Sequence, residues 1–227
     1  GMPFGMVKIS PDTAMSGGLA AGFYRGGGYH YDDTQIQGFS HTHLYATGIT
    51  GHAALATMPT DGMSLEKTTR SGYGEEFSHD REWATPGRYA VELESSNVEL
   101  SATEHTSLHE YQFTEASTPT ILIDVAHVMG TGSVSNSSII LSEDGLSFQG
   151  ELIMDGEMGA PYPLYFYGEL DQPALAWGVW NGEELFDGER ETTQLDDMPI
   201  GAWLEFAPES TVGMRIAISN IDLEGAL

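Results

Sequence analysis

The chain has 227 residues, 8 Lys and Arg against 34 Asp and Glu, a formal charge of −26 and no cysteine. That acid excess excludes nucleic acid and anionic membrane surfaces as partners, because neutralising phosphates takes Lys and Arg, and the lack of cysteine excludes disulfides and Cys-ligated zinc. A hydrophobic fraction of 40% is enough for a core, and 28 Gly, 10 Pro, 10 Tyr and 9 Phe favour a turn-rich β protein over a helical bundle.

The start, Gly1-Met2-Pro3-Phe4-Gly5, has neither a basic n-region nor an apolar h-region, so any signal peptide lies outside this sequence. No window reaches ~18 consecutive apolar residues, which argues against a membrane span. Acid outnumbering base more than fourfold suits salty surroundings, where screening relieves self-repulsion, and the chain is expected to be secreted or periplasmic.

From Gly1 to about Asp61 the chain is rich in Gly, His and Tyr without regular periodicity, which reads as long loops joined by short strands. Tyr89, Val91 and Leu93 then alternate with mostly polar neighbours, and after Ser95-Ser96-Asn97 the alternation resumes at Val98, Leu100 and Ala102. Two half-buried strands joined by a tight turn follow. A strand through Leu108 to Phe113 precedes Ile121-Leu122-Ile123-Asp124-Val125, an apolar run suited to a central strand covered on both faces. Further strands are predicted at Ser138 to Leu141, Leu146 to Ile153, Leu164 to Tyr167, Leu175 to Val179 and Met214 to Ile218. Roughly ten to fourteen strands with turn signals every ~8–12 residues indicate an all-β sandwich. The tail, Asn220 to Leu227, carries helix formers but stops before a helix completes, and reads as the start of an interdomain linker.

Four of the eight histidines, His30, His41, His43 and His52, fall within 23 positions, beside adjacent Asp32 and Asp33. In an extended segment His41 and His43 share a face and Thr42 points the other way, so two imidazoles can hold a metal or hydrogen-bond a polyol. A cupin-like metal site would need a third ligand where Thr47 stands, and a reading in which the histidines only satisfy loop backbone stays open. Asp32 and Asp33, being neighbours, point to opposite faces and cannot flank one glycosidic bond, though either can accept from sugar hydroxyls. Gly26-Gly27-Gly28 lacks the Lys and Ser or Thr of a phosphate loop. Trp177, Trp180 and Trp203, with Trp83, are either core aromatics or stacking platforms of a stand-alone carbohydrate-binding sandwich.

Several longer motifs occur in one order: Pro3-Phe4-Gly5-Met6-Val7-Lys8-Ile9-Ser10-Pro11-Asp12-Thr13, Gly28-Tyr29-His30-Tyr31-Asp32-Asp33, Gly38-Phe39-Ser40-His41-Thr42-His43-Leu44, Phe77-Ser78-His79, Pro86-Gly87-Arg88-Tyr89, Ser101-Ala102-Thr103-Glu104-His105 with Leu108-His109-Glu110-Tyr111, and Ala217-Ile218-Ser219. Together they resemble the N-terminal domain of glycoside hydrolase family 92, the calcium-dependent exo-α-mannosidases. The chain departs from that pattern at Tyr45-Ala46-Thr47-Gly48, where a Ser-Gly-Thr-Gly type turn is expected.

The resemblance implies a β-supersandwich of two large, mostly antiparallel sheets, galactose-mutarotase-like, filling residues 1–227. It also implies a separate C-terminal (α/α)6 domain, absent from this chain, that supplies the catalytic acid and base and binds the calcium cofactor. Accordingly no catalytic residue and no metal ligand is assigned here, and the chain alone is expected to be inactive. It would supply substrate-pocket loops and the domain interface of an inverting enzyme acting on terminal α-linked mannose, its partners being a mannose-containing glycan and its own helical domain. Asp32, Asp33, His41, Thr42 and His43 are the expected sugar-binding residues.

Overall fold

In a computed structural model, residues 5–14, 27–44, 51–156, 159–194 and 198–227 are described. They form seventeen strands: β1 (Ser10–Ala14), β2 (Gln35–Ser40), β3 (Ala54–Asp61), β4 (Glu75–Glu76), β5 (Glu82–Thr85), β6 (Arg88–Glu92), β7 (Ser96–Ala102), β8 (Thr106–Phe113), β9 (Pro119–Val128), β10 (Ser133–Leu141), β11 (Ser147–Asp155), β12 (Tyr162–Leu170), β13 (Ala176–Asn181), β14 (Glu184–Asp187), β15 (Glu191–Thr193), β16 (Ile200–Glu205) and β17 (Thr211–Ser219). Between β3 and β4 lie a 3-10 turn (Leu65–Thr68) and one α-helical turn, α1 (Arg70–Tyr73).

The strands make two antiparallel sheets. An eight-stranded sheet runs β1-β2-β3-β9-β16-β13-β14 with β4 on β2, and a nine-stranded sheet runs β15-β10-β11-β12-β17-β8-β7-β6-β5. Alternation decides which side chains enter the space between them. In β8, Ser107, His109, Tyr111 and Phe113 are buried while Leu108, Glu110 and Gln112 are exposed, and in β17 Val212, Met214, Ile216 and Ile218 are buried. The continuous apolar run of β9 sits at the middle of its sheet between β3 and β16, and residues 119–125 of it are all buried.

The strand count exceeds the ten to fourteen read from the sequence, because β4, β14 and β15 span only two to four residues each and are too short to show alternation. At the C-terminal end, Glu224–Ala226 forms a single 3-10 turn. Two of the proposed stacking platforms belong to the core: Trp180 is 0% exposed and Trp203 3%, whereas Trp83 is 54% exposed.

Candidate functional site

Asp12, in β1, is fully buried yet charged. Its Oδ1 accepts from His43 Nε2 at 2.9 Å and its Oδ2 from His127 Nε2 at 2.6 Å. The other His43 ring nitrogen, Nδ1, lies 2.7 Å from the Lys8 carbonyl, so both ring nitrogens face acceptors. Burial alone would raise the Asp12 carboxyl, but the His43 charge and hydrogen bonds from His127 and His43 hold it well below the usual carboxylate range. The network continues from His127 Nδ1 to the Tyr73 hydroxyl at 3.1 Å and from that hydroxyl to Asp124 at 2.8 Å, tying α1 to the central strand.

The Gly27–Thr34 loop lies over this pair. Gly28 has φ +86, and a Cβ there would fall 2.2 Å from Asp12 Oδ1 and 2.7 Å from His43 Nε2. Thr13 fastens the loop: its Oγ1 accepts from His30 N–H at 2.9 Å and donates to Asp33 at 2.7 Å. Asp33 is therefore buried while its neighbour Asp32 has an 83% exposed side chain, so the two carboxylates face opposite ways.

A second anchor holds the outer edge of the loop. Glu82 on β5 accepts from Tyr29 at 2.9 Å, His79 at 2.7 Å and Tyr89 at 2.6 Å. The other His79 nitrogen donates to the Tyr31 carbonyl, and the Tyr31 ring stacks on His79 with centroids 4.0 Å apart. The hydrogen bond to Glu82, with the one to Tyr31, raises the His79 imidazole against the opposing effect of burial. Burial and the Glu82 carboxylate push the Tyr29 and Tyr89 phenols above their ordinary range. What faces outward is Tyr31, 66% exposed, and Asp32 beside it.

His41 belongs to a separate buried network that spans the two sheets. Its Nδ1 lies 2.5 Å from the Leu55 carbonyl and its Nε2 2.9 Å from Ser107 Oγ. Leu55 sits at a bulge in β3 with φ +53, which turns its carbonyl toward the ring. Because a carbonyl only accepts, the tautomers can be assigned from that end. His41 Nδ1–H donates to Leu55, Ser107 Oγ directs its one proton to His41 Nε2 at 2.9 Å with the Ile216 carbonyl as a longer second acceptor at 3.3 Å, and His109 Nε2–H donates to Ser107 at 2.8 Å. Tyr111 then donates to His109 Nδ1 at 2.9 Å and Thr57 to Tyr111 at 2.8 Å. Both rings are neutral: burial lowers the His41 imidazole to about 4 and takes His109 well below its ordinary value.

The five residues singled out in the sequence thus occupy different positions. Asp32 is exposed on the loop, whereas Asp33 and His43 lie beneath it. Thr42 donates to the His52 carbonyl at 2.5 Å and accepts from Ala54 N–H at 3.1 Å, clamping the β2 to β3 connection. His41 and His43 do not share one face, since β2 ends at Ser40 and the chain bends at His41. The loop's anchors Asp12, His127, Tyr73, His79 and Glu82 were missed. Their spacing carries no local signal, as Asp12 and His127 are 115 positions apart.

Among the described residues no group of three His, Cys, Asp or Glu side chains could hold a metal ion. Where Asp12, His43 and His127 do meet, the ring nitrogens are committed to the carboxylate, and a hard cation such as calcium wants oxygen donors. The described residues therefore do not fit a calcium site.

Fold and site define a class: an antiparallel double-sheet sandwich carrying an anchored polar loop. Residues 1–219 match the family model of the glycosyl hydrolase family 92 N-terminal domain, and the chain belongs to that family. It is similar to a family GH92 α-mannosidase from Bacteroides thetaiotaomicron solved in complex with mannoimidazole, at 26% identity and TM-score 0.82, covering 99% of this chain and 30% of that one. A GH92 inverting mannosidase from the same species is also 26% identical, with TM-score 0.79 and coverage of 99% and 28%. An uncharacterized secreted glycosidase from Arthroderma benhamiae is 26% identical over 159 residues, 64% of this chain and 19% of that protein. The chain spans less than a third of the length of each.

Proposed function

We propose that the chain is the N-terminal domain of an inverting exo-α-mannosidase that removes terminal α-linked mannose from glycans. In this reading residues 1–227 are a single sandwich domain, 220–227 lead into a linker, and a C-terminal (α/α)6 domain brings the catalytic acid, the catalytic base and calcium. The observation that supports it best is the match of 99% of the chain to two GH92 mannosidases of which it spans only 30% and 28%.

The contribution of this chain is binding and orientation. Asp32 accepts hydrogen bonds from sugar hydroxyls at the rim of the pocket, and Tyr31 beside it offers a ring held flat by His79. Asp33, His43, Thr42 and His41 act from below: they fix the loop and the strand ends that present it, so that the rim is formed before sugar arrives. Inversion needs an acid and a base ~6.5–9.5 Å apart around a water, an arrangement that the oppositely directed Asp32 and Asp33 do not make. Export from the cytoplasm fits the secreted description of the fungal relative, and no helix among the described residues is long and apolar enough to cross a membrane.

Kinetics of Asp32→Ala in the full-length enzyme test the rim. kcat/KM on α-mannobiose should fall at least about tenfold, as the loss of a hydrogen bond to a charged group implies, with the melting temperature unchanged because the side chain is exposed. Unchanged kcat/KM would remove Asp32 from the pocket. The 227-residue chain alone should release no mannose, and turnover by it would overturn the division of labour.

A further inference from the structure

The outward face of the nine-stranded sheet carries a groove that the loop site does not use. Two cavities of about 560 and 410 Å³ there share Arg88, Glu99 and Glu110 and so run into one another. Strand register gives the groove its profile. One cross-strand row reads Trp83, Ala90, Glu99, Glu110, Gly213 over β5, β6, β7, β8 and β17. An exposed indole therefore stands beside the short Ala90, two carboxylates follow, and the row ends at Gly213, where a Cβ would come within 2.7 Å of Asp171.

The next row reads Arg88, Ser101, Leu108, Arg215, Glu169. Both of its arginines are already engaged, Arg88 with Glu99 and Arg215 with Glu169. On the other flank Asn97 donates to Gln112 at 3.2 Å. The groove thus combines an aromatic face, fixed arginine–glutamate pairs and amides, with carboxylates in excess over arginines. Excess carboxylate repels polyanions and the headgroups of anionic lipids alike. An uncharged polyhydroxylated chain matches: its ring CH groups lie on the indole and its hydroxyls exchange hydrogen bonds with the pairs.

We propose that this groove is a second glycan-binding site, taking a neutral oligosaccharide with one sugar ring stacked on Trp83. It is independent of the Asp32 rim and needs no turnover.

Native-gel affinity electrophoresis of the 227-residue chain tests it, with α-mannan, a neutral β-glucan or chondroitin sulfate cast in the gel. At least one neutral polysaccharide should retard the chain, chondroitin sulfate should not, and Trp83→Ala should weaken the binding at least about tenfold at an unchanged melting temperature. Phe186→Ala, an exposed aromatic in the other sheet, should behave as the parent chain. Absence of retardation by any neutral polysaccharide, equal retardation of the Trp83 variant, or preference for the sulfated polymer would overturn the proposal. Sedimentation showing a dimer that Trp83→Ala dissociates, without sugar binding, would overturn it as well and make the face a contact between copies. The readout is binding rather than hydrolysis, so its failure leaves the mannosidase reading standing, and the reverse.

Discussion

Removing the Asp12 carboxylate would leave His43 and His127 facing a void where their shared acceptor stood. Breaking a buried pair by deleting one partner costs about 3–5 kcal/mol, and Asp12→Ala should lose that much in urea denaturation at pH 7; a loss under about 1 kcal/mol would contradict the ion pair. His41 and His109 make the opposite demand, because they must stay neutral. Their folded values lie below the unfolded value near ~6.5, so the unfolded chain binds protons first as pH falls. The stability they give is present above ~6.5 and is lost toward pH 4, about 3 kcal/mol for His41. Asp124, whose carboxyl burial raises, pulls the other way in the same window, and His79 contributes below ~6.5 and loses its contribution above. The decisive measurement is therefore site-resolved: imidazole NMR resonances of His41 and His109 should not titrate between pH 7 and 5. Titration of either ring near 6.5 would refute the assigned network. That histidines cluster was legible in the sequence. Which of them meets an aspartate 31 positions away and which meets a serine 66 away depends on sheet packing, and local spacing is silent on that.

Two positive-φ glycines separate turn chemistry from tertiary contact. Gly87, at φ +88 in the Pro86-Gly87 turn between β5 and β6, has open space where a Cβ would stand, with nothing within 4 Å, so Gly87→Ala should cost only the left-handed backbone penalty of about 1–2 kcal/mol. Gly28→Ala adds a methyl that must displace Asp12 and His43, and should cost about 3 kcal/mol or more while exposing Tyr31 and the loop to proteolysis. Equal losses in thermal or urea unfolding would mean that the loop does not rest on the ion pair. The β6 to β7 hairpin and the central β9 were readable because alternation and continuous apolarity report burial directly. The segment from His30 to His43 was not: only Gln35–Ser40 of it is strand, and its flanks are shaped by Thr13, His79 and Glu82, which belong to other elements.

At the scale of the whole molecule, 34 acidic residues face 8 basic ones. Among the described residues the arginine–carboxylate pairs are Arg88–Glu99, Arg190–Glu143 and Arg215–Glu169, all with exposed side chains. Each is worth ~0–1 kcal/mol, too little to offset the mutual repulsion of a surface at −26. Folding brings those carboxylates closer together than the unfolded chain does, so screening should favour the folded state. The Debye length falls to about 10 Å at 0.1 M salt and about 8 Å at 0.15 M, hence the urea midpoint should rise with NaCl, steeply at first and more slowly beyond that range. The Asp12–His43 pair is shielded from the same ions, its side chains being 0% and 2% exposed. The cost of Asp12→Ala should accordingly be nearly independent of salt while the midpoints of parent and variant climb together. A midpoint that falls with NaCl would show that the surface pairs outweigh the repulsion, and a salt-dependent Asp12 cost would place that carboxylate in contact with solvent.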